Sequence, residues 1–235
     1  MPTWLITGAS RGLGLGLAQE LIASSDNIVF ATCRHPEEAK NLRLLSESPS
    51  RKGSLFIIQL NVTDEASVFI AQREVESILG QRGLDFLINN AGVATKDDLP
   101  SNLSVSNLIS AVETNVGGTA LVTRMFIPLL ERSAKKIIVN ITSTLGSIGN
   151  DTGGEHTTYS ISKAALNMLT YKQVKERPDL ITFMIHPGWC KTDMGGDNAT
   201  LEVAEGARKV LRIVKGATPE YTGKFFDEEG VIVPW

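Results

Sequence analysis

Six short runs, Trp4–Thr7, Ile28–Cys33, Leu55–Leu60, Phe86–Asn89, Ile137–Ile141 and Ile181–Ile185, are apolar at almost every consecutive position. A strand of that kind is buried on both faces, which is the condition of a central parallel sheet and not of a half-exposed antiparallel one. Between the runs lie segments suited to helices, at about 12–24, 36–47, 64–80, 105–131, 157–177 and 201–214. Parallel neighbours need crossover connections, so this alternation predicts right-handed βαβ units in a doubly wound α/β sheet, with helices on both faces. Several boundaries carry their own signals. Asp64 and Glu65 suit the start of the third helix, Gly80 and Gly83 its end, and Arg177-Pro178 the end of the fifth. Pro128 is expected to bend or end the long helix 105–131. No repeat, low-complexity tract or linker divides residues 1–235, so one domain is expected.

A net charge of −3 and a pI near 5.7 give no electrostatic footprint for nucleic acid or an anionic membrane. No apolar stretch reaches the length of a membrane span, and the first residues lack a basic leader pattern. The two cysteines, Cys33 and Cys190, make no disulfide framework and suit a reducing compartment. His35, His156 and His186 form no tight cluster with them, so no metal site is expected. The expectation is a soluble cytoplasmic protein.

The first apolar run leads directly into Thr7-Gly8-Ala9-Ser10-Arg11-Gly12-Leu13-Gly14, and this turn opens a helical pattern. Glycine permits a sharp turn and close approach of backbone to ligand, and a helix N-terminus offers N–H groups to an anion. The spacing of Gly8, Gly12 and Gly14 differs from G-x-G-x-x-G. Later, Tyr159-Ser160-Ile161-Ser162-Lys163 places a phenol and an ammonium four residues apart, on one helix face. A nearby ammonium favours phenolate, so the pair is expected to lower the tyrosine's pKa and make it a proton donor to a carbonyl oxygen. Standing alone, such a pair is ordinary surface chemistry. Beside the glycine turn it is not.

Taken in order, Thr7-Gly8-x3-Gly12-x-Gly14, Asn89-Asn90-Ala91-Gly92, Asn115, Ser143, Tyr159-x3-Lys163 and His186-Pro187-Gly188 resemble the classical short-chain dehydrogenases/reductases over essentially the whole chain. Asn140-Ile141-Thr142-Ser143, Leu145–Ile148 and Ser162–Met168 are similar to the sniffer-type carbonyl reductases, the bacterial C-factor proteins and fungal ketoreductases. The resemblance implies a Rossmann-like fold and four catalytic positions. Tyr159 would protonate a carbonyl oxygen and Ser143 would hold that oxygen. Lys163 would lower the tyrosine's pKa and bind the nicotinamide ribose, and Asn115 would hold a water in a proton relay. Ser143 and Tyr159 are sixteen residues apart, about three more than is usual in the family. The surplus falls in the loop Asn150–His156, expected to form part of a substrate pocket wall.

The resemblance also implies a dinucleotide trough made by Gly8, Ser10, Arg11, Gly12, Leu13, Gly14, Asn90, Ala91 and Gly92. Asn61-Val62 stands where the family contacts adenine, and Pro187, Gly188 and Thr192 stand where it brackets the nicotinamide. An acidic residue at the end of the second strand would accept bonds from the ribose 2′-hydroxyl of NAD. That stretch is Ala31-Thr32-Cys33-Arg34, with no carboxylate, and Arg11 supplies a second cation. Two guanidinium forks suit a 2′-phosphate, so NADP(H) is the expected cofactor. The expected function is NADPH-dependent reduction of a ketone or aldehyde, with a small-molecule carbonyl substrate. The rival is a dinucleotide-binding regulatory protein with little turnover. Trp189, Met194 and Leu145 are expected to contribute apolar pocket walls, and residues 193–214 a lid. Relatives pair through the two long helices, here 105–131 and 157–177, so a homodimer or homotetramer is expected.

Overall fold

The computed structural model describes residues 1–49, 51–95 and 98–235. Its elements in chain order are β1 (Thr3–Ile6), α1 (Gly12–Ile22), β2 (Ile28–Cys33), α2 (Lys40–Glu47), β3 (Ser54–Gln59), α3 (Glu65–Leu79) and β4 (Phe86–Asn89). They continue with α4 (Val105–Val112), α5 (Thr119–Glu131), β5 (Ile137–Ile141), α6 (Thr157–Glu176), β6 (Ile181–Ile185), α7 (Val203–Lys215) and β7 (Phe225–Phe226). The strands form one parallel sheet in the order β3-β2-β1-β4-β5-β6-β7. The chain winds outward from β1 in one direction and from β4 in the other. The carboxyl ends of β1 and β4 therefore flank the point where the winding reverses, the place where such sheets bind ligands.

Alternate residues of each strand feed two cores. On one face Trp4, Ile6, Val29, Val139 and Ile185 pack with Leu17 and Leu21 of α1 and Val210 and Val214 of α7. On the other, Leu5, Phe30, Leu87 and Ile138 pack with Val68 and Val75 of α3 and Val122 and Phe126 of α5. Helix α6 differs from its neighbours. Its buried side chains include Thr158, Ser162, Lys163, Asn167 and Thr170, so it meets the protein mostly through polar groups. Those groups are paired: Thr142 donates to Asn167 at 2.6 Å, and the Asn140 amide donates to Thr170 at 2.8 Å. The same Asn140 accepts from Asn89 at 2.9 Å, which extends the chain of bonds across β5 and β4.

Two features depart from the sequence reading and one narrows it. The segment expected as one helix over 105–131 is split by a π-helical turn at Glu113–Gly118. Of the two outcomes expected at Pro128, a bend or an end, the helix does not end there but runs on to Glu131. A seventh strand, only two residues long, pairs with β6 and was too short to show as an apolar run. The π turn sits where Gly118 lies against Val62, with room for no side chain: a Cβ there would come within 2.7 Å of Val62 Cγ2. Single π turns are often found at functional sites, because they rotate the residues they contain relative to the helix on either side.

The start of α3 follows its sequence signal closely. The Asp64 carboxylate accepts from the N–H groups of Ala66 at 3.0 Å and Ser67 at 3.2 Å. Asp64→Ala is expected to cost about 1 kcal/mol of unfolding free energy, read from urea denaturation, and to leave the site described below unchanged.

Candidate active site

The glycine turn closes against the end of β4. The Thr7 hydroxyl accepts from the backbone N–H groups of Asn90 and Ala91, both at 3.0 Å. The Asn90 amide in turn donates to the carbonyls of Thr7 at 2.9 Å and Gly8 at 3.2 Å. Gly8 has a φ of +69°, and a Cβ on it would come within 2.9 Å of the Ala91 backbone, so this position takes only glycine. Helix α1 begins at Gly12, so the N–H groups of Gly12, Leu13 and Gly14 belong to its first turn and have no intrahelical carbonyl to bond. Ser10 is half-buried beside them and Arg11 is exposed.

At the far end of β5, Ser143 begins a short 3₁₀ turn, and its oxygen accepts from the Leu145 N–H at 3.2 Å. The same hydroxyl stands near enough to the phenol of Tyr159 to favour its ionised form. Its rivals are engaged elsewhere: Thr142 with Asn167, and Ser147 with the Pro234 carbonyl at 2.6 Å. Lys163 is buried, and its Nζ donates to the Ile141 carbonyl at 2.8 Å and lies 5.5 Å from the centre of the Tyr159 ring. The sequence separation of sixteen residues is absorbed by the loop between the 3₁₀ turn and α6, without parting the two hydroxyls.

Asn115 lies in the π turn and is buried. Its amide donates to the Val93 carbonyl and to the Ser162 hydroxyl, both at 2.9 Å, and its oxygen accepts from the Val93 N–H at 2.8 Å. Gly92 stands between it and the lysine. A Cβ on Gly92 would lie 3.1 Å from Asn115 Oδ1 and 3.7 Å from Lys163 Nζ. The asparagine, the lysine and the end of β4 therefore meet around one backbone position.

The electrostatics correct one expectation. The tyrosine is not lowered by its lysine here: burial pushes the Tyr159 phenol up to about 12, and the nearby Ser143 hydroxyl offsets this only in part. Burial likewise brings the Lys163 ammonium down to about 8. Removing either charge from water costs more than the two groups return to each other, because the ammonium is directed at the Ile141 carbonyl and not at the phenol oxygen. The site thus holds a phenol that stays protonated across the neutral range.

The remaining predicted positions border this centre. Arg34 is exposed at the end of β2. Arg11 reaches across to Asp193, 3.2 Å away, with both side chains about three-quarters exposed (73% and 75%). Asn61 spends its acceptor oxygen locally on the N–H and hydroxyl of Thr63, leaving its amide N–H groups for any adenine contact. Val62 is buried against Gly118. Pro187 and Gly188 follow β6, with Gly188 at a φ of +81°. Thr192 lies over the glycine turn, its methyl 3.3 Å from where a Gly12 Cβ would stand.

The segment 193–214 divides. The loop carrying Met194 is exposed, whereas Ala207, Val210, Leu211 and Val214 of α7 belong to the core. Sequence reasoning passed over Thr7 as a clamp, Val93 and Ser162 as partners of Asn115, and Ile141 as the lysine's acceptor. The last three act through backbone atoms or a small hydroxyl and leave no distinctive residue pattern. Among the described residues no group of side chains could hold a metal ion, and no helix is long and apolar enough to cross a membrane.

A strand–glycine turn–helix unit beside a serine, tyrosine and lysine is the arrangement of one large class of α/β oxidoreductases. The short chain dehydrogenase family matches residues 2–202, and the chain belongs to that family. It is 34% identical over 246 residues to the short-chain dehydrogenase anuI of Penicillium roqueforti, covering 99% of this chain and 96% of that protein. Among solved structures it is similar to an NADPH-bound carbonyl reductase from chicken fatty liver, with a TM-score of 0.92 and 36% identity over 100% of this chain and 99% of that one. The carbonyl reductase Sniffer of D. melanogaster superposes with a TM-score of 0.93 at 29% identity, covering both chains in full.

The phenol is accessible to direct measurement. With three tyrosines in the chain, the difference between the alkaline absorbance titrations of the protein and of Tyr159→Phe isolates Tyr159. The two curves are expected to coincide through pH 10, the ordinary midpoint, and to separate only nearer 12.

Proposed function

We propose that the protein catalyses NADPH-dependent reduction of a ketone or aldehyde to an alcohol. The observation that carries this reading is the approach of the Tyr159 phenol to the buried Ser143 hydroxyl, beside the buried Lys163 at the carboxyl edge of the sheet. Two hydroxyls converging there can hold one carbonyl oxygen, the serine by donating a hydrogen bond and the tyrosine by delivering a proton. A phenol held fully protonated suits the reductive direction, in which the acid must carry its proton when negative charge develops on the oxygen. Bound NADPH would supply the hydride.

The residues present fit that cofactor. The closed turn at Gly8–Gly14 offers backbone N–H groups at a helix N-terminus to the diphosphate, and the clamp by Thr7 and Asn90 keeps the turn in shape. Asn90, Ala91 and Gly92 line the trough, and Lys163 is placed to hold the nicotinamide ribose while Asn115 supports the lysine's surroundings. Pro187, Gly188 and Thr192 would bracket the nicotinamide. Arg34 and Arg11 would grip the 2′-phosphate, with Arg11 leaving Asp193 to do so.

Trp189 and Met194, about half exposed at 50% and 51%, and Leu145 give the mouth an apolar character that suits a hydrophobic or aromatic carbonyl compound. Val105 and Ile109 of α4 and Met168 and Tyr171 of α6 are exposed apolar residues on the helices through which a homodimer or homotetramer would pair.

Two experiments decide the reading. Tyr159→Phe is expected to lower the rate of ketone reduction by about 10²- to 10⁴-fold while NADPH still binds, monitored by its fluorescence. Binding without reduction of any ketone by the unaltered protein would favour the regulatory reading. Replacing Arg11 and Arg34 by alanine is expected to raise KM for NADPH by at least about tenfold and leave KM for NADH unchanged, since each lost charge-assisted bond is worth on the order of 1.5 kcal/mol or more. Equal effects on both cofactors would refute the phosphate assignment.

A further inference from the structure

Tyr159 is the third residue of α6, so the first turn of that helix sets where its phenol lies. First-turn N–H groups have no intrahelical acceptors, and the residue before a helix usually supplies one from a Ser, Thr, Asp or Asn side chain. Here that residue is His156, with its backbone in the left-handed region at a φ of +57°. The acceptors come instead from Asp98, about sixty residues earlier in the connection between β4 and α4. The Asp98 carbonyl accepts from the Thr157 N–H and hydroxyl, both at 3.2 Å. One oxygen of its carboxylate accepts from the Thr158 N–H at 3.1 Å, and the other accepts from the Thr158 hydroxyl at 2.5 Å. Thr158 is fully buried, so these bonds are sheltered from water on the helix side.

We propose that Asp98 is a positioning residue for the catalytic acid: it caps α6 from across the chain and so fixes Tyr159 against Ser143. The same connection carries Asn90–Gly92 at its start and Val93, the backbone partner of Asn115. Within it, Val93 holds Asn115, and Asp98 holds the first turn of α6. A carboxylate is the right group for this task, since it accepts twice and its charge lies at the positive end of the helix dipole. Both bonds to Thr158 hold the carboxyl below its ordinary range, so it remains ionised through the working pH. The inference rests on the reductase reading for its kinetic consequence, but not for its structural one.

The test compares Asp98→Ala, Asp98→Asn and Thr158→Val with the unaltered protein. It follows steady-state ketone reduction, NADPH affinity by fluorescence, and amide hydrogen exchange at Thr157–Tyr159 in the protein alone. Asp98→Ala is expected to lower kcat about tenfold and to speed exchange at those amides by a similar factor, while NADPH affinity stays within about twofold. Asp98→Asn keeps an acceptor for the Thr158 N–H and is expected to return kcat to within about threefold of the unaltered protein. Thr158→Val removes only the hydroxyl bond; it is expected to lower kcat about threefold and serves if Asp98→Ala does not fold. Unchanged kcat in the folded variants, unchanged exchange, or parallel loss of kcat and NADPH affinity would overturn the proposal. An unaltered protein that reduces no carbonyl compound refutes the reductase reading instead, and the exchange comparison still decides whether Asp98 caps α6.

Discussion

The hydrogen bond from Lys163 Nζ to the Ile141 carbonyl is the contact on which the site depends. Ile141 is the last residue of β5, and Ser143 follows two positions later. Lys163 lies one helical turn beyond Tyr159. One bond at 2.8 Å therefore sets the depth of α6 relative to the strand end, and with it the approach of the phenol to the serine hydroxyl. A buried ammonium without an acceptor would be costly, so the lysine is held to that carbonyl wherever α6 is docked. Around it, Asn167 with Thr142 and Thr170 with Asn140 repeat the same device further along the helix.

This polar docking explains the balance of the site. An apolar helix face can slide by fractions of an ångström at little cost, whereas a row of directional bonds in a dry interface admits one register. The burial that makes those bonds strong also raises the phenol and lowers the ammonium. The resulting pair is a neutral phenol beside a readily neutralised ammonium. Any anionic or polar ligand brought alongside changes that balance, since the lysine would then have a second partner. The fold supplies the rest: β1, β4 and β5 end together, so the glycine turn, Asn90–Gly92 and Ser143 lie along one edge of the sheet.

Much of this was legible in the sequence, for physical reasons that can be named. Strands buried on both faces must be apolar at almost every position, so four of the six runs coincide with observed strands and the other two, Trp4–Thr7 and Leu55–Leu60, are displaced by one residue. The glycine turn was legible because no other residue tolerates the backbone of Gly8 so close to Ala91. Helix α6 was found by its length and boundaries, but its buried face could not be read from hydrophobicity. Ile161, Met168 and Tyr171 are exposed while Lys163, Asn167 and Thr170 are buried, the reverse of the usual pattern. The π turn was hidden inside a segment whose composition suits a helix throughout. Asp98 was hidden because a cap supplied from about sixty residues away leaves no mark beside the helix it serves. The lowered tyrosine pKa was expected from spacing alone, and spacing does not say which way the ammonium points.

The central claim is that Ser143 and Tyr159 act together on one carbonyl oxygen. A double-mutant cycle on the rate of ketone reduction under single-turnover conditions, with Ser143→Ala, Tyr159→Phe and the two combined, tests it most directly. The account predicts strong non-additivity: each single change removes most of the rate, and the double variant is little slower than the slower single. Independent, multiplicative losses, or a serine whose removal leaves the rate intact, would contradict it.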